Sequence, residues 1–479
     1  MVSIGFFSRF GKFLGMVSRL QRRKLRSTRK RKQTRKRRCR IANLPDCILE
    51  YILSLIPLKD ALETSLVCRD WRPFLLKRRN LVFDFEGYVR RPPQFEKRVD
   101  TYLQLYKGDK VDSFTVEFTD PEVGDVLDRW IRFAITKGVE ELHLRHHVFD
   151  YVFPHWLLSE QVNAGSRVNL KVLSICSIDG ILRPPPDFNG FNQLKTLHLI
   201  HAIIDPSFTS NLFSVFASLE SLTLYRCSLG RYLANTRTDL NIVAGDRLTE
   251  LRVMDCGPAK IKISAQNLAS LEYINNHWTS LSIKTPRLAR IYLLDTVHDP
   301  LLPHVLTQFV TCSELESLCL RMYPETLINF SMPAFGNLRK LKVDICIQYG
   351  RPYNDDNLLR FLDFLKAAPV LEELVTALID LKFTDTTDER EIRNVSGFTH
   401  DNLKLVKMKS FHGHWSEIEF AICILKYTTN LKIMEIGPFA RSVSGDYFRE
   451  KVNYPERPRA IMKEKIKEVK TDAEIIFLP

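Results

Sequence analysis

Histidine and cysteine are the side chains here most able to do chemistry, and their spacing decides whether they do. His143, His146 and His147 lie close together, and His412 and His414 flank Gly413. Imidazoles at such spacings hold zinc when further ligands stand nearby, and neither group has a third ligand at a suitable local spacing. Strand alternation puts His143 on an exposed sheet face and His147 inward, at a position comparable to Cys227 and Cys256. The ten cysteines are scattered, with no CxxC pair. Cys227, Cys256 and Cys346 each fall three residues after a strand-like Leu or Val, where a thiol behaves as a small buried hydrophobe. Reduced thiols in cytosol or nucleus follow. The chain also lacks GxGxxG, GxSxG, HExxH and the phosphate-loop GxxxxGK followed by Ser or Thr. The reading is of a non-catalytic protein with no metal and no cofactor.

Charge is concentrated at one end. Residues 1–40 hold sixteen Lys and Arg and no Asp or Glu, which exceeds the net +14 of the whole chain. From Ile41 onward, 54 basic residues face 56 acidic ones, so the body is not a general polyanion binder. Residues 22–40 are too charged and too poor in apolar side chains to fold, and residues 1–40 are expected as a disordered basic arm. Arg29, Lys30, Arg31, Lys32, Arg35, Lys36, Arg37 and Arg38 suit a nuclear-import signal, with nucleic-acid or anionic-membrane contact as the second reading. Phe6, Phe7, Phe10, Phe13, Leu14 and Val17 alternate with Arg9, Lys12 and Arg19, as in an amphipathic helix or targeting leader, but the order of charge and apolarity opposes a secretory signal. No apolar run approaches the ~20 residues of a membrane span. The expected location is nucleus, cytoplasm or both.

Residues 41–76 read as a short helical docking module. Pro45 suits a first helical turn and Asp46 its positive dipole end. Ile48, Leu49, Ile52, Leu55 and Ile56 recur at helical spacing until Pro57 stops the helix. A second helix is expected after Asp60, capped by its carboxylate, with Glu63 completing a capping box and Leu62, Leu66 and Val67 buried. About forty residues bury too little apolar surface to stand alone, so exposed Leu, Ile and Trp need cover from a partner or neighbouring domain.

The order Leu44-Pro45, the Ile/Leu stripe, Pro57-Leu58-Lys59-Asp60 and Val67-Cys68-Arg69-Asp70-Trp71 resembles the F-box. That resemblance implies a three-helix module at residues 41–80 that docks a Skp-type adaptor and, through it, cullin and RING subunits of a ubiquitin ligase. Its adaptor-binding residues here would be Leu44, Pro45, Ile48, Leu49, Ile52, Leu53, Leu66, Val67, Cys68 and Trp71.

From Val139 the chain keeps returning to LxxLxL or a close variant, from Val139/Leu142/Leu144 through Leu219/Leu222/Leu224 to Leu431/Met434/Ile436, with starts 20 to 33 residues apart. This is the irregular period of leucine-rich repeats over residues 139–399, each giving one short parallel strand and a return segment. Residues 81–138 read as a linker leading into the solenoid. In Ser221-Leu222-Thr223-Leu224-Tyr225 the leucines point inward and the other side chains face the concave side. On that rule His143, Arg145, His198, Tyr225, Arg252, Arg321 and Lys342 are the candidate substrate contacts. Arg183-Pro184-Pro185-Pro186 makes a stiff exposed loop, and Asp385 to Asn394 a polar insertion.

Residues 400–440, marked by Leu403, Val406, Phe411, Gly413, Glu417, Phe420, Leu425, Leu431 and Met434, resemble the FBD segment of plant F-box/leucine-rich-repeat proteins. The segment reads as strand, loop, amphipathic helix and strand, a cap for the open solenoid end, before a tail at 441–479. The expected fold is thus an α/β repeat: a small N-terminal three-helix F-box, a leucine-rich-repeat solenoid and a C-terminal FBD-type cap. The expected function is a substrate-recognition subunit of a Skp-cullin-F-box ubiquitin ligase whose repeats hold an unknown protein substrate. A nuclear nucleic-acid- or membrane-associated scaffold using the basic arm is the alternative, and a small-molecule-sensing receptor a lesser one.

Overall fold

The computed structural model describes residues 44–67, 71–84, 92–118, 124–146, 151–163, 168–204, 212–229, 239–258, 260–275, 280–295, 302–322, 332–346, 356–379, 391–395, 397–411, 413–437 and 456–478. The basic arm, with its import-type residues Arg29 to Arg38, and Cys68 and His147 lie outside them.

Three helical segments come first: α1 (Asp46–Leu55), α2 (Leu58–Val67) and α3 (Arg72–Leu75). Pro45 forms the N-cap of α1, and Ile56 ends it in an extended conformation before Pro57. Contrary to the sequence expectation, α2 begins at Leu58, so Asp60 lies in the first turn and is not the cap. Pro57 at the boundary sets that start: its ring restricts the residue before it, and its carbonyl accepts from Ala61 N–H at 3.0 Å.

Strands then alternate with return segments. They are β1 (Asn80–Asp84), β2 (Ser113–Phe118), β3 (Glu141–His146), β4 (Val172–Ile181), β5 (Thr196–Ile204), β6 (Ser221–Tyr225), β7 (Ser228–Leu229), β8 (Leu240–Val243), β9 (Glu250–Met254) and β10 (Lys260–Ser264). The series continues with β11 (Ser270–Asn275), β12 (Ser280–Lys284), β13 (Arg290–Asp295), β14 (Ser317–Met322), β15 (Lys340–Cys346), β16 (Glu373–Ile379), β17 (Leu405–Lys409), β18 (Ile433–Ile436) and β19 (Glu474–Phe477). Helices fill the longer returns: α4 (Pro92–Leu105), α5 (Gly124–Thr136), α6 (Trp156–Asn163), α7 (Leu302–Phe309), α8 (Asp356–Leu359), α9 (Phe361–Ala367), α10 (Trp415–Tyr427) and α11 (Glu456–Lys467).

Among the described residues one sheet has sixteen strands, in the order β1-β2-β3-β4-β5-β6-β9-β11-β13-β14-β15-β16-β17-β18-β19, with β7 beside β5. Each pairing along it is parallel, and the register carries the repeat directly: Leu142, Leu173, Leu197, Leu222, Leu251, Leu271, Ile291, Leu318, Leu341 and Leu374 stand side by side. All ten are buried, and each fully buried Leu or Ile contributes about 1.5–3 kcal/mol. The ladder begins earlier than Val139, because Leu81 and Phe114 occupy the same register in β1 and β2. Residues 81–138 are therefore partly array.

Two other expectations change. The segment 400–437 is no terminal cap: β17 and β18 are ordinary turns of the sheet, and β19 pairs beyond them. Its helix α10 is not amphipathic, since every residue from Trp415 to Leu425 is buried. A second, three-stranded parallel sheet, β12-β10-β8, backs the middle of the array.

Candidate functional site

Helix α1 carries two apolar stripes. Leu49, Leu53 and Ile56 turn inward, Leu49 and Leu53 being 4% and 3% exposed. Ile48, Tyr51, Ile52 and Leu55, at i, i+3, i+4 and i+7, turn outward with exposures of 43%, 63%, 36% and 66%. One helix with two such stripes has one more than its own module covers.

Of the ten residues read as adaptor contacts, Ile48 and Ile52 thus lie on the open face beside the exposed Pro45 and half-buried Leu44. Leu49 and Leu53 are buried, each about 100° around the helix from its neighbour Ile48 or Ile52. Trp71 is half-buried and packs with Ile56 and Phe74 against Leu53, Ala61 and Leu75, which makes it a support of the module before it is an anchor. Leu66 and Val67 belong to α2, with side chains outside the described set. Tyr51 and Leu55 are the outward residues that the sequence reading left out of the site. Their signal was the second stripe itself.

The module is tied to the array. Leu58 joins the core of the solenoid, and Leu62 packs against both cores. Tyr102 donates its hydroxyl hydrogen to Leu75 O at 2.5 Å, Lys107 N–H donates to Leu76 O at 2.7 Å, and Arg78 donates to Ser54 O at 3.1 Å. Tyr106, within hydrogen-bond distance of Arg78 O and Lys110 O, has its pKa pushed up to about 12, chiefly by burial. The three helices are thus hydrogen-bonded to the first repeats. At this junction a mainly apolar cleft of about 680 Å³ opens between Leu62, Leu75, Val99, Tyr102 and Leu105.

The second surface is the outward side of the long sheet. Register aligns His143, Ser174, His198, Thr223, Arg252, Glu272, Tyr292, Cys319 and Lys342 in one row across it. Arg145, Tyr225 and Arg321 lie in the next row. All seven candidate contacts are thus on one face, in two adjacent rows. Arg145 pairs with Glu117 at 3.2 Å, and Arg252 with Glu272 at 3.3 Å. His198 is half-buried, and burial, with the nearby Arg252 and His143, lowers its pKa and favours the neutral ring.

While His147 lies outside the described residues, His146 turns inward, and its ring meets Tyr151 edge-on at 4.8 Å. The reason is backbone parity. In β3 alternation runs unbroken from Leu144 to His146, whereas Arg226 and Asp255 take positive φ, +50° and +53°, directly after β6 and β9. That left-handed residue shifts the next inward position by one, to the buried Cys227 and Cys256. In β15 Ile345 is inward, and the Cys346 side chain lies outside the described set. Among the described residues no three His, Cys, Asp or Glu are grouped to hold a metal, and no helix is long and apolar enough to cross a membrane.

Residues 41–82 match the F-box domain family, and residues 103–476 match the leucine-rich-repeat domain described as At1g61320/AtMIF1. The second match spans most of the chain. This chain belongs to the plant F-box/FBD/leucine-rich-repeat family. The Arabidopsis thaliana F-box/FBD/LRR-repeat relative At4g03220 is 25% identical over 439 residues, covering 79% of this chain and 82% of its own. FBD-associated F-box protein At1g61320 of the same plant is 23% identical over 425 residues, covering 82% and 87%. F-box/FBD/LRR-repeat protein At5g56420 is 28% identical over 200 residues, covering 40% and 44%. F-box domains generally bind Skp-type adaptors, and F-box/leucine-rich-repeat proteins are generally non-catalytic substrate adaptors of ubiquitin ligases.

Proposed function

We propose that this chain is the substrate-recognition subunit of a Skp-cullin-F-box ubiquitin ligase, with α1 to α3 as the three-helix docking module and the concave sheet face holding the protein to be ubiquitinated. The observation that carries this reading is the outward stripe Ile48, Tyr51, Ile52 and Leu55 on a module already anchored to a rigid repeat array. An adaptor in this position needs no catalytic residue, because tethering raises the local concentration of substrate near the charged conjugating enzyme. The FBD segment, on this reading, lengthens the array and does not form a separate domain.

The test is co-purification of a plant Skp-type adaptor with the full chain. Ile52→Asp with Leu55→Asp places two charges on the outward stripe and should abolish capture while leaving thermal unfolding unchanged, since neither side chain supports the core. Capture by the doubly substituted chain at the parent's level would exclude α1 as the docking face. We assign Arg29 to Arg38 to nuclear import: removing residues 1–40 should lower nuclear accumulation of a fluorescent fusion and leave adaptor capture intact. Loss of adaptor capture on that deletion would favour the arm-driven scaffold.

A further inference from the structure

The row at the carboxyl ends of the central strands is not polar. Register places Ile200, Tyr225, Met254, Ile274 and Leu294 side by side on β5, β6, β9, β11 and β13. None of the five belongs to the apolar core of the solenoid, so their apolar surface serves the opposite side of the sheet. Four are only half-buried, and Leu294 is the most covered. At ~4.8 Å per strand the ridge runs about 19 Å, the span of roughly six extended residues.

The next position along this row is Arg321 on β14, followed by Asp344 on β15. Arg321 is largely buried, with 17% of its side chain exposed. Its Nη2 stands 3.8 Å from Asp344 Oδ2, too far for a strong hydrogen bond, and its Nε is buried with no hydrogen-bond partner. The same Asp344 oxygen is also engaged by Lys342 Nζ at 3.4 Å, while Lys342 lies 5.7 Å from the centre of the Tyr292 ring. Two cations therefore share one carboxylate. A buried guanidinium whose only carboxylate among the described residues stands at 3.8 Å and is shared with Lys342 is under-compensated, and a second carboxylate reaching the exposed part of the Arg321 side chain would supply the missing charge.

We propose that the concave face takes a protein segment that lays apolar side chains along Ile200, Tyr225, Met254, Ile274 and Leu294 and presents a carboxylate to Arg321. This rests on the reading that the sheet face holds the ligase's substrate, and it names the chemistry of that substrate. The apolar row supplies affinity; the arginine fixes which end of the segment lies over β14. Lys342 neutralises Asp344 and so keeps the inner carboxylate from repelling the incoming one.

The experiment measures fluorescence anisotropy of labelled peptides with the purified full chain. The peptides carry alternating apolar residues followed by glutamate, glutamine, lysine or phosphoserine. The glutamate series should bind at least about tenfold tighter than the glutamine and lysine series, the size of one charged hydrogen-bonded contact. Arg321→Gln should erase that preference while all four series keep the binding that the apolar row supplies, Arg321→Lys should restore only part of it, and Met254→Asp should weaken every series. Equal binding of all four series, or a glutamate preference that survives Arg321→Gln, overturns the proposal. Phosphoserine binding tighter than glutamate overturns the choice of a carboxylate. Adaptor capture is scored on the same preparations: capture without peptide preference defeats this inference alone, and preference without capture defeats the ligase reading alone.

Discussion

Arg393 grips Glu419 from the loop that precedes β17. Its Nη2 lies 2.6 Å from Glu419 Oε2, while its Nε and its backbone N–H both reach Oε1, at 2.9 and 2.8 Å. Glu419 sits in the buried stretch of helix α10 with 1% of its side chain exposed, whereas Arg393 keeps 42% of its own in solvent. The asymmetry decides which substitution hurts more. Arg393→Ala strips a buried carboxylate of its counter-charge and should cost about 3–5 kcal/mol. Glu419→Gln keeps an oxygen for the Arg393 backbone N–H and leaves the guanidinium its solvent, so it should cost less. Denaturant unfolding of the two variants checks the order, and equal losses would contradict it.

Lys110 and Lys171 hold Glu140 from two sides, at 2.5 and 2.6 Å. Hydrogen bonds from Lys110 first and Lys171 second keep its carboxyl well below the ordinary glutamate value, at about 2. A depressed carboxyl contributes its stability in full above the unfolded value of about 4.3 and loses it as the pH falls towards 2. Glu140→Gln should therefore lower the unfolding midpoint near neutral pH and converge with the parent across that acid window. Because the site is solvent-facing, the gap should also shrink with salt. Parallel midpoint curves for parent and variant would show that the pairing is without effect.

What could be read from the letters was the inner ladder, because Leu or Ile at a fixed offset has one meaning in a repeated strand. β1 and β2 escaped because Phe83, Phe114 and Phe118 fill inward sites where the motif expects aliphatic residues. The backing sheet escaped although its alternation is clear in Lys260-Ile261-Lys262-Ile263-Ser264, since short strands of that kind carry no sign of which sheet they join. Helix α10 looked amphipathic because Glu417 and Glu419 are charged letters. Both are buried, and each is satisfied within the fold: Glu417 Oε2 accepts from the N–H groups of Gly413 and His414 at 2.7 and 3.0 Å. On α1 the apolar letters were all visible, but only the packing divides Leu49 and Leu53 from Ile48 and Ile52.

Thiol reactivity should separate the cysteines by place. Burial first, with Asp344 and Glu272 adding to it, pushes the Cys319 thiol up to about 12, and burial with Glu419 pushes Cys423 to about 11. Both stay protonated at neutral pH, and the thiolate is the reactive form. Cys47 lies exposed on α1. A maleimide pulse on the native chain, read by peptide mass mapping, should label Cys47 ahead of Cys319 and Cys423, which should react only after denaturation. Cys319 labelling as fast as Cys47 would mean that the central strands open readily.

Gln308 closes an edge that would otherwise be bare. Strand β12 is at the border of the small sheet, and α7 brings the Gln308 amide against it. Its Oε1 accepts from Ile283 N–H at 2.9 Å, and its Nε2 donates to Leu281 O at 2.9 Å. One side chain thus supplies the acceptor and donor that a neighbouring strand would supply, which also blocks that edge from pairing with another chain. Gln308→Ala should leave both backbone groups unpaired in a half-buried setting and cost about 1–3 kcal/mol. Gln308→Glu is the sharper substitution, because it keeps the volume and the acceptor but replaces the donor with an oxygen facing Leu281 O. It should therefore destabilise the chain despite being nearly isosteric, and the effect should ease at acid pH where a protonated carboxyl can donate again. Amide hydrogen exchange at Ile283 gives the local readout: protection should fall in Gln308→Ala and survive in Gln308→Glu. Unaltered protection in the alanine variant would mean that β12 holds its edge without the glutamine.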